Sequence, residues 1–113
     1  MATIRLISAN GGPASAVATV RHSEGGETID MRVEDLPPSP DGTVYTCWLV
    51  GPGDTLTHQN RVSVGSFIVR SPGPVRVTWT TAADMQRFPH LGVTLEPVNG
   101  DPRHQGPKVL AGP

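Results

Sequence analysis

Short runs of alternating apolar and polar residues, each cut off by Gly, Pro, Asn or Asp, recur along this chain at near-regular spacing. That pattern is the signature of antiparallel strands joined by tight turns, and it leaves little room for helix. The reading gives about eight strands, at Thr3–Ser8, Ser15–His22, Glu27–Asp35, Thr43–Val50, Ser63–Arg70, Val75–Thr80, Leu91–Glu96 and Lys108–Leu110. Asn10-Gly11 and Gly25-Gly26 fall between the first three and predict a meander. The expected fold class is all-β, an antiparallel Ig-like β-sandwich with at most one short helix near 81–87. There Thr81 and Asp84 have capping-box spacing and Pro89 stops propagation.

Individual strands differ in what they demand. Ile29, Met31 and Val33 alternate with Asp30, Arg32 and Glu34, and Val75, Val77 and Trp79 with Arg76, Thr78 and Thr80, so both strands are expected to keep one wet face. In Thr43–Val50, Val44, Trp48 and Val50 share one face and Tyr45, Cys47 and Leu49 the other, which predicts a central strand covered on both sides. Leu91, Val93 and Leu95 alternate with Gly92, Thr94 and Glu96, giving one apolar face, and Pro97 removes a ladder donor and ends the pairing. Leu36-Pro37-Pro38-Ser39-Pro40-Asp41-Gly42 reads as a stiff connector between strands.

With 113 residues the chain is expected to form one domain, residues 1–113, large enough to bury a core without staples. Cys47 is the sole cysteine, which excludes an internal disulfide and a Cys-built zinc site. Nine basic and ten acidic side chains are spread without runs, so no nucleic-acid partner is expected. No apolar stretch reaches the roughly 18 residues of a membrane span, and the N-terminus lacks a signal-peptide core, so the chain is expected to be soluble and to carry no address.

Chemistry-bearing groups are sparse. His22, His58, His90 and His104 fall at strand ends or in loops without ligand spacing and read as exposed polar residues, so no metal and no cofactor are expected. Cys47 beside Trp48 in mid-strand reads as a small buried hydrophobe. No serine lies in a Gly-x-Ser-x-Gly elbow, and Gly51-Pro52-Gly53-Asp54 reads as a hairpin tip rather than a phosphate loop. Glu96, between an apolar strand and a Pro turn, is expected to accept N–H bonds from the turn; a paired-carboxylate site with Asp101 would need a sugar-sized cleft. Trp48 and Trp79 are expected to pack in the core. The chain is therefore expected not to be an enzyme.

Three segments together resemble the C-terminal extracytoplasmic domain of bacterial anti-sigma factors of the RskA (anti-sigma-K) type. The first joins Leu36-Pro37 to Tyr45-Thr46-Cys47-Trp48-Leu49; the second is Val64-Gly65-Ser66-Phe67; the third is Thr94-Leu95-Glu96-Pro97 with Gly100, Pro102, Gly106 and Pro107 behind it. Thr46 stands where the family usually has Gln, Val64 where it tends to have Ala, and Asn99 where it tends to have Gly. The resemblance implies a sensor or regulatory module of a single-pass protein, on the outer face of the bacterial cell membrane. Its full-length relatives bind an ECF sigma factor through a cytoplasmic domain absent here and release it by regulated proteolysis. A regulatory protease and self-association are the partners it implies for this domain, and the chain is expected to be an excised ectodomain. A ligand-binding β-sandwich for carbohydrate or a small molecule is the alternative, and it would leave Tyr45 or Trp79 accessible.

Overall fold

The computed structural model describes residues 2–23, 26–71, 73–101 and 103–112. Among them the chain is all-β, with strands β1 (Ala2–Ser8), β2 (Ser15–Ser23), β3 (Gly26–Glu34), β4 (Thr43–Val50), β5 (Arg61–Phe67), β6 (Val75–Thr81), β7 (His90–Pro97) and β8 (Lys108–Ala111). Every alternating run forms a strand. The largest displacement is at β5, expected over Ser63–Arg70. It stops at Phe67 because Val69 is taken by the Pro-rich connector: Ser39 N donates to Val69 O (2.9 Å), and Val69 N donates to Ser39 Oγ (3.3 Å).

The described strands form one antiparallel sheet in the order β5-β4-β7-β8-β1-β2-β3-β6. β1, β2 and β3 are neighbours as the expected meander; Gly25 of its second turn lies outside the described residues. The other half is not sequential. The Leu36–Gly42 connector carries the chain from β3 to β4, and it ends in a turn where Pro40 O accepts from Thr43 N (3.1 Å) while Gly42 takes φ 79°.

The sheet curls until its two outer strands, β5 and β6, lie against each other, giving a nearly closed, barrel-like sheet. No ladder pairing joins these two strands. The seam is filled by side chains, with the Phe67 and Trp79 rings 6.1 Å apart. Gly65 permits this closeness, since a Cβ there would stand 2.2 Å from Trp79 Nε1.

Residues from both halves of the sheet meet inside the curl: Leu6, Ala18, Ile29 and Met31 with Leu49, Val93 and Leu110, each almost wholly hidden from solvent. Burying each large aliphatic side chain of this set stabilises the fold by about 1.5–3 kcal/mol. The outward residues of β3 and β6 remain at least partly wet, tied across the surface by the Arg76–Asp30 pair.

The helix candidate at 81–87 is a single turn. Arg87 N and Phe88 N both donate to Asp84 O, but the Thr81 hydroxyl and Asp84 carboxylate cap Ala83 N and Gln86 N locally, and Pro89 offers no N–H to extend the ladder. Among the described residues there is no helix, and none long and apolar enough to cross a membrane.

Candidate functional site

β4 and β7 are adjacent, with Thr46 opposite Thr94 and Trp48 opposite Gly92. Their inner faces carry Tyr45, Cys47, Leu49, Leu91 and Val93 into the core. Alternation sends Thr46, Trp48, Thr94 and Glu96 to the opposite side, where the polar residues of β7 would be expected to meet water. They do not: all four are buried. Residues 51–60 between β4 and β5 and residues 98–101 and 103–107 between β7 and β8 hold the cover over Trp48, Thr94 and Glu96.

Glu96 is the anchor of that cover. Its Oε1 accepts from the backbone N–H groups of Gln105 (2.7 Å) and Gly106 (2.9 Å), and its Oε2 accepts from His104 Nδ1 (2.7 Å). An ionised carboxylate can only accept, so His104 holds a proton on Nδ1. Burial raises the Glu96 carboxyl. The hydrogen bonds from Thr94, His104, Gln105 N and Gly106 N outweigh it and hold the group below the usual glutamate range. Trp48 Nε1 donates to Thr94 Oγ1 (2.8 Å), so indole, hydroxyl, carboxylate and imidazole form one buried polar chain.

The loop over 51–60 locks onto the same cluster. Arg61 lies above Trp48, its guanidinium carbon 5.4 Å from the ring centre, and makes a forked ion pair with Asp54. Both of these side chains are more than nine-tenths covered. Hydrogen bonding to Arg61 holds the Asp54 carboxyl below its usual range against the opposing effect of burial. Gln59 bridges the two loops: its Nε2 donates to His104 O (2.7 Å), and its Oε1 accepts from His104 N (3.3 Å). The His104 ring packs edge-on against Trp48, centroids 5.9 Å apart.

The motif residues sort into three places. Leu36 is buried, the Pro37 carbonyl accepts from Tyr45 Oη (2.7 Å), and Tyr45 stacks on Phe67 at 5.6 Å, with Leu49 beside them in the core. Gly65 lies at the seam under Trp79. Trp48, Thr94, Glu96, Gly106 and Pro107 build the outer clamp together with Leu95, whose N–H donates to Pro107 O (3.0 Å). Gly106 fits there only because it has no side chain, since a Cβ would sit 1.7 Å from Leu95 O. Pro97 ends β7, Gly100 takes φ 84° in the loop, and Pro102 lies outside the described residues.

Two expectations are corrected. His104 is buried rather than exposed, because the loop that carries it folds back onto Glu96. Trp48 is buried outside the apolar core, on the face opposite Cys47, where Arg61 and His104 cover it. Of the two aromatics that the ligand-binding alternative would leave accessible, Tyr45 is 2% exposed and Trp79 is half-buried against the core. His22 pairs with Glu27 at 2.8 Å, and His58 contacts Thr57. Among the described residues no group of three or more His, Cys, Asp or Glu side chains could hold a metal ion.

As chemistry, the cluster is closed. Both Glu96 oxygens are engaged, and Asp101, which with Glu96 borders one groove, is itself forked to Arg103, whose hydrogen bonds lower its pKa to about 2. Burial pushes the Cys47 thiol up to about 12, away from a nucleophilic thiolate. Asp54, Gln59, Arg61 and His104 were not legible as members, because no periodic spacing links residues of two loops and the start of β5 that meet only after folding.

A family model described as anti-sigma-K factor rskA, C-terminal, matches residues 2–108. No curated protein and no solved structure matches the chain.

Proposed function

The chain belongs to the family of C-terminal domains of the anti-sigma-K factor RskA, and on that premise we propose that it is the extracytoplasmic regulatory domain of a membrane-bound anti-sigma factor. In this reading it is not an enzyme. It controls release of an ECF sigma factor by governing proteolysis of the protein that carries it, while a cytoplasmic domain elsewhere holds the sigma factor. The observation that carries the proposal is the match over residues 2–108, nearly the whole chain.

The domain's contribution is steric. Its sheet acts as the two leaves of an Ig-like sandwich around one apolar interior, and the loops at 51–60 and 98–107 are fastened onto the outside by the Glu96 clamp. An intact fold of this kind shields a neighbouring stalk from a protease, and loosening it exposes the stalk. The engaged Glu96 oxygens, the Asp101–Arg103 fork and the inert Cys47 thiol support a regulatory rather than catalytic role.

Grafting this domain onto a membrane-bound relative in place of its own tests the idea. Wild-type, Gly106→Ala and domain-deleted grafts are compared by immunoblot for the cleaved fragment and by a sigma-dependent reporter. The clamp variant and the deletion are expected to raise both signals; cleavage that stays the same in all three, under every growth condition tried, overturns the shielding role.

A further inference from the structure

Beside the clamp, residues 98–101 and 103 do not collapse onto the sheet but border an open groove of about 330 Å³, floored by β4 and β5. This volume is at the small end of the roughly 300–1,000 Å³ typical of small-ligand sites. The floor is a row of hydroxyls from Thr46, Ser66 and Ser63, and the wall carries Asn99, Asp101 and Arg103.

The groove is held in shape from behind. Glu96 fixes the far end of the loop, Asn99 Oδ1 accepts from Asp101 N (3.0 Å), Asn99 Nδ2 donates to Gln105 Oε1 (3.2 Å), and Asp101 forks to Arg103. Its hydrogen-bonding capacity is only partly used. Thr46 Oγ1 and Ser66 Oγ are 2.9 Å apart and share one proton, which leaves the other hydroxyl proton and further lone pairs of two groove-lining groups uncommitted to each other. Arg103 commits Nε and Nη2 to Asp101, and its Nη1 hydrogens are unspent. The charge balance selects the ligand further. Two carboxylates, Glu96 and Asp101, border the groove against the single guanidinium of Arg103, so an anion gains nothing there. Val44 and the exposed Val98 add apolar rims suited to the C–H faces of a sugar ring.

We propose that this groove is a binding site for a neutral, hydroxyl-rich ligand, a saccharide residue, recognised by the Thr46–Ser66 hydroxyl pair and by Arg103. The proposal is independent of the regulatory reading, since its test uses the isolated chain and no protease. Isotope-labelled protein is titrated with maltose, cellobiose and chitobiose as neutral probes, and with glucose 6-phosphate as an anionic one, each to about 50 mM, where weak sites of this size fill.

At least one neutral disaccharide is expected to shift the amide resonances of Thr46, Ser66, Asn99 and Arg103, and glucose 6-phosphate to bind more weakly. Thr46→Val removes a hydroxyl at nearly constant shape, and Arg103→Gln alters an exposed side chain; each is expected to weaken binding about tenfold while the rest of the spectrum stays folded. Absence of shifts with every neutral probe overturns the site. So do shifts confined to a second, apolar cleft lined by Pro13, Leu36, Pro37, Tyr45, Leu95 and Val109, or affinities unchanged in both variants.

Discussion

The two faces of the β4–β7 pair are buried by opposite means. Inward, Tyr45, Cys47, Leu49, Leu91 and Val93 meet other apolar groups, and packing asks only for shape and volume. Outward, Trp48, Thr94 and Glu96 are covered as completely, but by loops that hold on through directed bonds to the Glu96 carboxylate, through the Gln59–His104 bridge and through the Arg61–Asp54 ion pair. The inner face tolerates exchange of one hydrophobe for another of similar size. The outer one fails when a single partner is lost, because the remaining polar groups stay buried without their bonds.

The sharpest way to set the faces apart is to damage each in turn. Ile29→Ala empties a site in the apolar core and is expected to cost about 2–5 kcal/mol, lowering the melting temperature by roughly 10–20 °C in one cooperative transition. Gly106→Ala drives a methyl group into Leu95 O and should cost about 3 kcal/mol. Its damage is expected to be local, with hydrogen exchange accelerated at Gln105 and Gly106 while β2 and β3 keep their protection. Global acceleration in that variant would mean that the clamp and the core are one cooperative unit.

Glu96→Gln is the gentlest of the three, at about 1.5–3 kcal/mol, since one acceptor oxygen survives while an amide N–H₂ now faces the His104 donor. It also carries a pH signature. The folded-state pKa of Glu96 is lowered, so its stabilisation is fully present above the unfolded value of about 4.3 and is lost as pH falls through the folded value. Melting curves from neutral pH downward should therefore converge for wild type and Glu96→Gln in acid. Parallel curves would remove the ionised carboxylate from the clamp.

The strands were legible because alternation is a local property. β4 begins and ends where the alternation does, at Thr43 and Val50, and its two-sided burial follows from Trp48 and Leu49 pointing opposite ways. What alternation cannot carry is which surface a loop will choose. Thr94 and Glu96 were read as the polar side of β7 and are polar, yet they face a covering loop rather than solvent. His104 was read as exposed for the same reason, since its neighbours in sequence are Pro, Gly and charged residues, and only the Glu96 contact draws it inside. Strand order was hidden too. β8 slips between β7 and β1 on a few rungs, a pairing that depends on the shape of the whole curl. The motif Glu96 through Pro107 was visible as a unit, and the structure supplies its reason: the carboxylate at one end binds the backbone at the other.

The chain's two tryptophans fall on the two sides of this comparison, Trp79 over Gly65 at the β5–β6 seam and Trp48 beneath Arg61 and His104. Each indole is thus an optical probe of one closure. With Trp48 replaced by Phe, the remaining emission tracks the opening of the curled sheet; with Trp79 replaced, it tracks the lifting of the loops, and a cationic neighbour such as Arg61 gives that second signal its own colour.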